Sequence, residues 1–306
     1  MSEGNWQNGD RVDETRTQKA RTRTQKEIEV SRMTPETSRL DQGYSLALSD
    51  VERARYRLMA ERAFTTEADI WHRAGIVSGA RVADIGCGPG ALLPALAEAV
   101  GRTGSVVGVD ADPDAVRAAR AYVESCSLDN VTVQPGRADV TGLGDETVDV
   151  VMMRHVLAHN GGREDDIVGH LAGLVRPGGS VYLVDIDMMS MDMSPPDADI
   201  AELNDRYVAW HTARGNDLRA GTRLAARLST AGLVVEEEQT IPGSFPVPPG
   251  LRSPAWAARE ALRDVGLASA EDIARWQAAF ERLDAAEVRP ILTVSTLLAY
   301  GRKPAR

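Results

Sequence analysis

From residue 81 onward the chain alternates short apolar runs with amphipathic stretches, the period switching between two and about 3.6. RVADI (81–85), SVVGVD (105–110), NVTVQ (130–134), VDVVMM (148–153), VYLVDID (181–187), LVVEEEQTI (233–241) and ILTVSTLLAYGRK (291–303) read as strands. Between them ALLPALAEAV (91–100, with one internal proline), a segment opened by Asp112 and closing near Cys126, DIVGHLAGLV (166–175) and GTRLAARLSTAG (221–232) read as helices. Asp112 followed by Pro113 is a start signal, because the side chain can cap while the proline sits where no amide hydrogen is needed. Strands joined through helices make right-handed βαβ units and a mostly parallel, doubly wound α/β sheet of seven strands.

Two segments interrupt the alternation. Residues 188–218 read as irregular, and 242–290 as a proline-rich break followed by helical runs over 253–265 and 269–287. With Asp187 included, 187–218 and 242–290 are expected to form a helical lid on the acceptor side. Ahead of the sheet, Ser49 and Glu52 have the spacing of a capping box opening SDVERARYRLMAERAF, and a second helical stretch over 65–75 leads to Gly75 and Gly79. The expected divisions are a polar tail over 1–33, a helical segment over 34–75 and a main domain over 76–306. The tail carries TRTQK twice, at 15–19 and 22–26, and a polar repeat of that kind supplies no buried seam.

Composition narrows the function classes. A formal net charge of −10 over 306 residues argues against a general affinity for nucleic-acid backbones. Two cysteines, Cys87 and Cys126, exclude a disulfide framework and point to a reducing compartment. The polar first residues carry no signal-peptide pattern, and no apolar run approaches a membrane span, so a cytoplasmic protein is expected. Oligomeric state is left open.

Ligands of parallel sheets bind beyond the carboxyl ends of the strands. Asp84, Asp110, Ala138, Arg154 and Asp185 lie at or just past those ends. VADIGCGPG (82–90) runs a strand into a glycine-rich turn. Gly86, Gly88 and Ala91 fit a dinucleotide loop, whereas Gly86, Gly88 and Gly90 behind Asp84 fit a loop for S-adenosylmethionine. A carboxylate two residues before the first glycine is an awkward neighbour for a pyrophosphate. It suits a cationic α-amino group.

VADIGCGPG, the acid of VGVDAD, the GRADV segment, RPGG before the fifth strand and a closing seventh strand together resemble class I S-adenosylmethionine-dependent methyltransferases. The resemblance covers roughly 75–241 and 291–303, and Ala83 stands where relatives carry a larger aliphatic residue. It implies a Rossmann-like sheet whose last strand is antiparallel, with S-adenosylmethionine as cofactor. Mapped here, it places Asp84, Gly86 and Gly88 at the methionine end, Asp110 at both ribose hydroxyls and Asp139 at the adenine amino group. Cys87, Ala111, Ala138 and Arg154 complete the expected cofactor contacts, and Tyr44 resembles the aromatic that relatives bring over the cofactor. Cys87 also reads as a small buried side chain rather than a nucleophile.

MRHVLAHN (153–160) leaves the fourth strand into the expected active site. His159 resembles the histidine that natural-product O-methyltransferases place there, and it reads as general base with Asp185 as orienting or acceptor-binding partner. Relatives often show a His–His pair, whose first member is Ala158 here. His155 reads as a packing residue, His72 and His170 as surface or packing residues, and His211 as a weaker candidate. No cluster has metal-ligand spacing. Met188, Met189, Met191, Met193, Trp210, Phe245, Trp256 and Trp276 suit a bulky, partly apolar small-molecule acceptor. O-methylation is the favoured reading. Carbon or nitrogen methylation, a non-transferring cofactor-binding protein and a NAD-dependent reductase are the alternatives.

Overall fold

The computed structural model describes residues 50–305. The TRTQK repeats, Ser49 and Tyr44 lie outside the described residues. Strands β1 (Arg81–Ile85), β2 (Ser105–Asp110), β3 (Val131–Pro135), β4 (Val148–Arg154) and β5 (Val175–Ile186) run parallel in the order β3-β2-β1-β4-β5. The alternation of their side chains serves both faces: Val150 and Met152 enter one core, Val151 and Met153 the other. Apolar runs buried on two faces are what a helix-covered parallel sheet requires.

Three further strands complete the sheet. β6 (Asp192–Ser194) is short, β7 (Val234–Pro246) is long, and β8 (Ile291–Arg302) runs antiparallel to β5, β6 and β7. β8 lies between β5 and β7, so the closing strand is inserted antiparallel as expected, and all seven expected strands are present. The additional strand β6 pairs only with the first residues of β8, whose pairing with β5 starts at Thr296. This is a doubly wound, Rossmann-like α/β architecture.

Helix α1 (Asp50–Ala74) merges the two helical stretches read separately. Ala63, Glu67, Ile70, Trp71 and Ala74 are buried along it, a stripe at helical spacing with an acid in its middle. Helix α2 (Leu93–Val100) starts two residues later than expected, so Pro94 falls in its first turn, where a missing amide hydrogen costs nothing. Helix α3 (Pro113–Ser125) opens as predicted, Asp112 accepting the Asp114 N–H at 2.9 Å. Helix α4 (Glu164–Leu174) joins β4 to β5.

The largest departure is α5 (Ala198–Ala213), in the stretch expected to be irregular. Asp197 caps it, accepting from the amides of Asp199 and Ile200, and Ile200, Leu203, Tyr207, Trp210 and His211 form its buried face. Helix α6 (Leu224–Thr230) precedes β7. Helices α7 (Pro254–Ala257), α8 (Arg259–Asp264) and α9 (Ala270–Ala285) lie between β7 and β8. α9 packs on α5, with Trp276, Ala279 and Phe280 inside, and Arg206, Arg275 and Arg282 pair with Asp197, Asp199, Glu202 and Asp272 between the two helices. The two insertions therefore share one core.

Candidate active site

The glycine loop follows β1. Gly86, Gly88 and Gly90 all have positive φ (79°, 56° and 80°), which L side chains rarely adopt. A Cβ on Gly86 would lie 2.3 Å from Val156 Cγ2, so the loop after β4 closes directly on the glycine turn. Asp110, ending β2, ties that turn down: Oδ2 accepts the Gly88 N–H at 2.8 Å and Oδ1 the Asp112 N–H at 2.9 Å. A carboxylate has about four acceptor positions, so both oxygens keep capacity for a pair of hydroxyls. Burial raises the Asp110 carboxyl above its ordinary range, against the amides of Asp112, Gly88 and Ala111.

Asp84 is buried at 3% exposure. Burial pushes its carboxyl up to about 7, partly opposed by Arg154 and reinforced by Asp110, with no hydrogen bond among the groups acting on it. A buried carboxylate poised this way fits a cationic group brought by a ligand. The cradle of positive-φ glycines, the spare acceptors of Asp110 and the poised Asp84 together fit S-adenosylmethionine. Cys87 is buried against Gly108 and its thiol is pushed well up by burial, which agrees with a packing role.

Arg154 turns away from a simple contact role. Its guanidinium grips Glu67 of α1 with Nη1 at 2.6 Å and Nη2 at 3.0 Å. Tyr182 Oη and Trp71 Nε1 donate to the same carboxylate at 2.8 and 3.3 Å. Burial raises the Glu67 carboxyl, but Arg154 and these bonds leave it below its ordinary value. Glu67 was not expected at the site, and an acid inside the apolar stripe of α1 was its one signal. Tyr56, from the same helix, lies 3.9 Å from where a Cβ of Gly88 would stand. Among the described residues, Tyr56 is thus an aromatic brought to the loop, while the expected Tyr44 lies outside them.

Asp139 follows β3 and is gripped by Arg137 at 2.8 and 3.0 Å and by Arg163 at 3.3 Å. The Arg137 hydrogen bonds foremost hold its carboxyl down to about 2. Ala138 beside it packs against the core, and Ala111, next to Asp110, is exposed.

At the other end of the site, β4 breaks at His155, a non-glycine residue with φ 57°. A short 3-10 turn, Leu157–His159, follows. Asp185, 1% exposed at the end of β5, accepts the Ala158 N–H at 3.1 Å and the Ile186 N–H at 2.9 Å. His155 Nδ1 is 3.8 Å from Asp185 Oδ1, so His155 is a constrained neighbour of the carboxylate rather than only a packing residue. Asp187 lies past the end of β5, capping the next turn and facing Arg219.

His159 is opposed by His211 of α5, ring centroids 5.0 Å apart. Burial drives the His159 imidazole down to about 4, Asp185 opposing and His155 and Arg55 reinforcing. His211 is driven to about 3 by burial, His159 and Arg214. The pair absent from the sequence around Ala158 is thus assembled in space from two elements. Tyr207 and Trp210 flank His211 at 4.3 and 4.9 Å. Of the expected apolar wall, Trp210 is buried against His211, Met188 is buried in the same core, and Met189 is exposed. Trp276 is inside the α5–α9 core, Trp256 packs on Phe280, and Phe245 sits under Arg62. His170 bonds Thr141, and His72 is exposed. Among the described residues no group of three or more His, Cys, Asp or Glu is arranged to hold a metal, and no helix is long and apolar enough to cross a membrane.

A family model described as a methyltransferase domain matches residues 82–179, the span from β1 to the first residues of β5. An aklanonic acid methyltransferase of a Streptomyces species (strain C5) is 40% identical over 76 residues, 25% of this chain and 34% of that protein. A ubiquinone biosynthesis O-methyltransferase of Xanthomonas oryzae is 30% identical over 170 residues, 53% of this chain and 65% of that protein. The chain therefore spans between about a third and two thirds of the length of the curated relatives it matches. In fold it is similar to a [4+2]-cyclase, SpnF, with TM-score 0.52 and 16% identity over 80% of this chain and 82% of that one. The glycine cradle and the strand-end acids lie inside or beside the matched span, so residues 82–179 of this chain are similar to a methyltransferase domain.

Proposed function

We propose that this protein transfers the methyl group of S-adenosylmethionine to a hydroxyl of a small, partly apolar acceptor of natural-product type, with His159 as general base. The observation that carries the reading is the placement of His159. It stands on a turn fixed by Asp185 through the Ala158 amide, next to the loop that closes on Gly86. The relatives named for aklanonic acid and ubiquinone biosynthesis support a small organic acceptor.

S-adenosylmethionine supplies an electrophilic methyl on a sulfonium, and the remaining work falls to side chains of this chain. Asp84 would face the α-amino group and Asp110 the ribose hydroxyls. Asp139, held by two arginines, would be available to the adenine amino group through its remaining lone pairs. Arg154 stands behind Asp84 as a fixed positive charge neutralised by Glu67, and Tyr56 would cover the loop. His159, neutral at physiological pH, is in the protonation state that accepts a hydroxyl proton. Displacement at a methyl group depends chiefly on alignment, so the base adds to a rate that positioning already supports. Tyr207, Trp210 and Met188 would provide the apolar wall. The two free cysteines, Cys87 and Cys126, suit a reducing, cytoplasmic setting.

The test is single-turnover transfer of labelled methyl to a panel of phenols, enols and carboxylic acids. His159→Ala should lower the rate by roughly 10²–10⁴-fold and spare cofactor affinity. A mutant rate within threefold of wild type between pH 6 and 9 would remove His159 from the mechanism and favour a carbon or amine acceptor.

A further inference from the structure

We propose that Asn216 and His211 are positioning residues that hold His211 as a neutral, single-tautomer neighbour and so direct the reaction's proton to His159. The proposal rests on the reading of His159 as base. It starts from a loop contact. The backbone N–H of Gly161, two residues after His159, donates to Asn216 Oδ1 at 3.0 Å. An amide nitrogen cannot accept that bond, so the Asn216 side chain has one orientation. Its Nδ2 then faces His211 Nδ1 at 2.7 Å and donates to it. Nδ1 must carry a lone pair, and the ring proton belongs on Nε2.

The contact is built into the backbone. A Cβ on Gly161 would lie 2.0 Å from Gly215 O and 2.7 Å from Asn216 N, so only glycine lets the two loops approach. The Asn216 N–H also donates to His211 O at 3.0 Å, fixing the amide beside the ring it reads. The groups facing His211 are His159 from the turn after β4, Tyr207, Trp210 and Arg214 from its own helix and its end, and Asn216. None of these is an anion that would favour an imidazolium.

Two imidazoles with centroids 5.0 Å apart and partly buried do not both hold a positive charge. Protonating His211 on Nδ1 would set two donors against each other. In the transfer step the acceptor O–H bond breaks and its proton goes to His159. The oxygen's electron pair forms the new O–CH3 bond, and the S–CH3 pair stays on sulfur as the neutral thioether. The charge lost from sulfonium thus ends on His159, beside a ring that stays neutral.

The experiment is long-range proton–nitrogen NMR on the full chain labelled with 15N-histidine, saturated with S-adenosylhomocysteine, from pH 8 to 5. The expected result is a His211 ring protonated only on Nε2 throughout, its Nδ1 keeping the resonance of an unprotonated nitrogen. In Asn216→Asp one oxygen still accepts from Gly161 while the other draws a proton onto Nδ1. His211 should then be protonated on both nitrogens at pH 6. A wild-type His211 with its proton on Nδ1, or one that titrates before His159 as pH falls, overturns the proposal, and this measurement needs no variant to fold. Methyl transfer retained by His159→Ala would overturn the base reading while leaving the tautomer result unaffected, so the two failures are distinct.

Discussion

Asp185 Oδ2 accepts the backbone N–H of Ala158 at 3.1 Å, joining the end of β5 to the residue before His159. The carboxylate thus fixes the position of the turn rather than gripping the imidazole directly. Asp185→Ala should leave a buried amide unpaired and destabilise the fold by about 1–3 kcal/mol. Asp185→Asn keeps an acceptor and should cost less. Urea midpoints of the two variants check the order, and equal midpoints would contradict it.

The strands, the glycine turn, Asp84 and Asp110 were legible in the sequence because each rests on local pattern. Apolar runs, a glycine spacing and an acid at a strand end are visible within a few residues of one another. Helix α5 was hidden: Ile200, Leu203, Tyr207, Trp210 and His211 are spaced for one face, but polar residues and two prolines ahead of them dilute the periodicity. The cap at Asp197 was the available signal. The His159–His211 contact has no local signal for the same reason, since the two rings lie on different elements and no local motif joins them. Glu67 is invisible in isolation because its meaning depends on Arg154, far away in sequence.

The Glu67–Arg154 pair fastens α1 to the end of β4. Removing one partner of a buried pair strands the other charge, which costs about 3–5 kcal/mol. Glu67→Ala should show that loss in equilibrium unfolding, whereas Glu67→Met with Arg154→Met should be much closer to wild type. A double variant as unstable as the single one would mean that the pair contributes beyond mutual neutralisation.

Asp84, proposed to face the α-amino group of the cofactor, should make binding sensitive to pH. Its folded value, near 7, lies above the ordinary 3.8, so the native chain holds the extra proton between those limits. Its stability contribution is complete below pH 3.8 and is lost as pH rises through about 7. A cationic amine beside the carboxylate pulls that value back down, and binding therefore releases a proton. Affinity for S-adenosylhomocysteine should rise from pH 5 to 7 and level off above. Calorimetry at pH 6 in two buffers of different ionisation enthalpy should detect the released proton, and Asp84→Asn should abolish the release.

The strand-end acids and the glycine cradle are proposed to hold S-adenosylmethionine, with Asp110 taking the ribose. The most direct measurement is calorimetric titration of the wild type and of Asp110→Ala with S-adenosylhomocysteine, with NADH as comparison. Loss of two charge-assisted hydrogen bonds should weaken the variant by about 2–4 kcal/mol, and NADH should not bind the wild type. Unchanged affinity in Asp110→Ala, or tight binding of NADH, would contradict this placement of the cofactor.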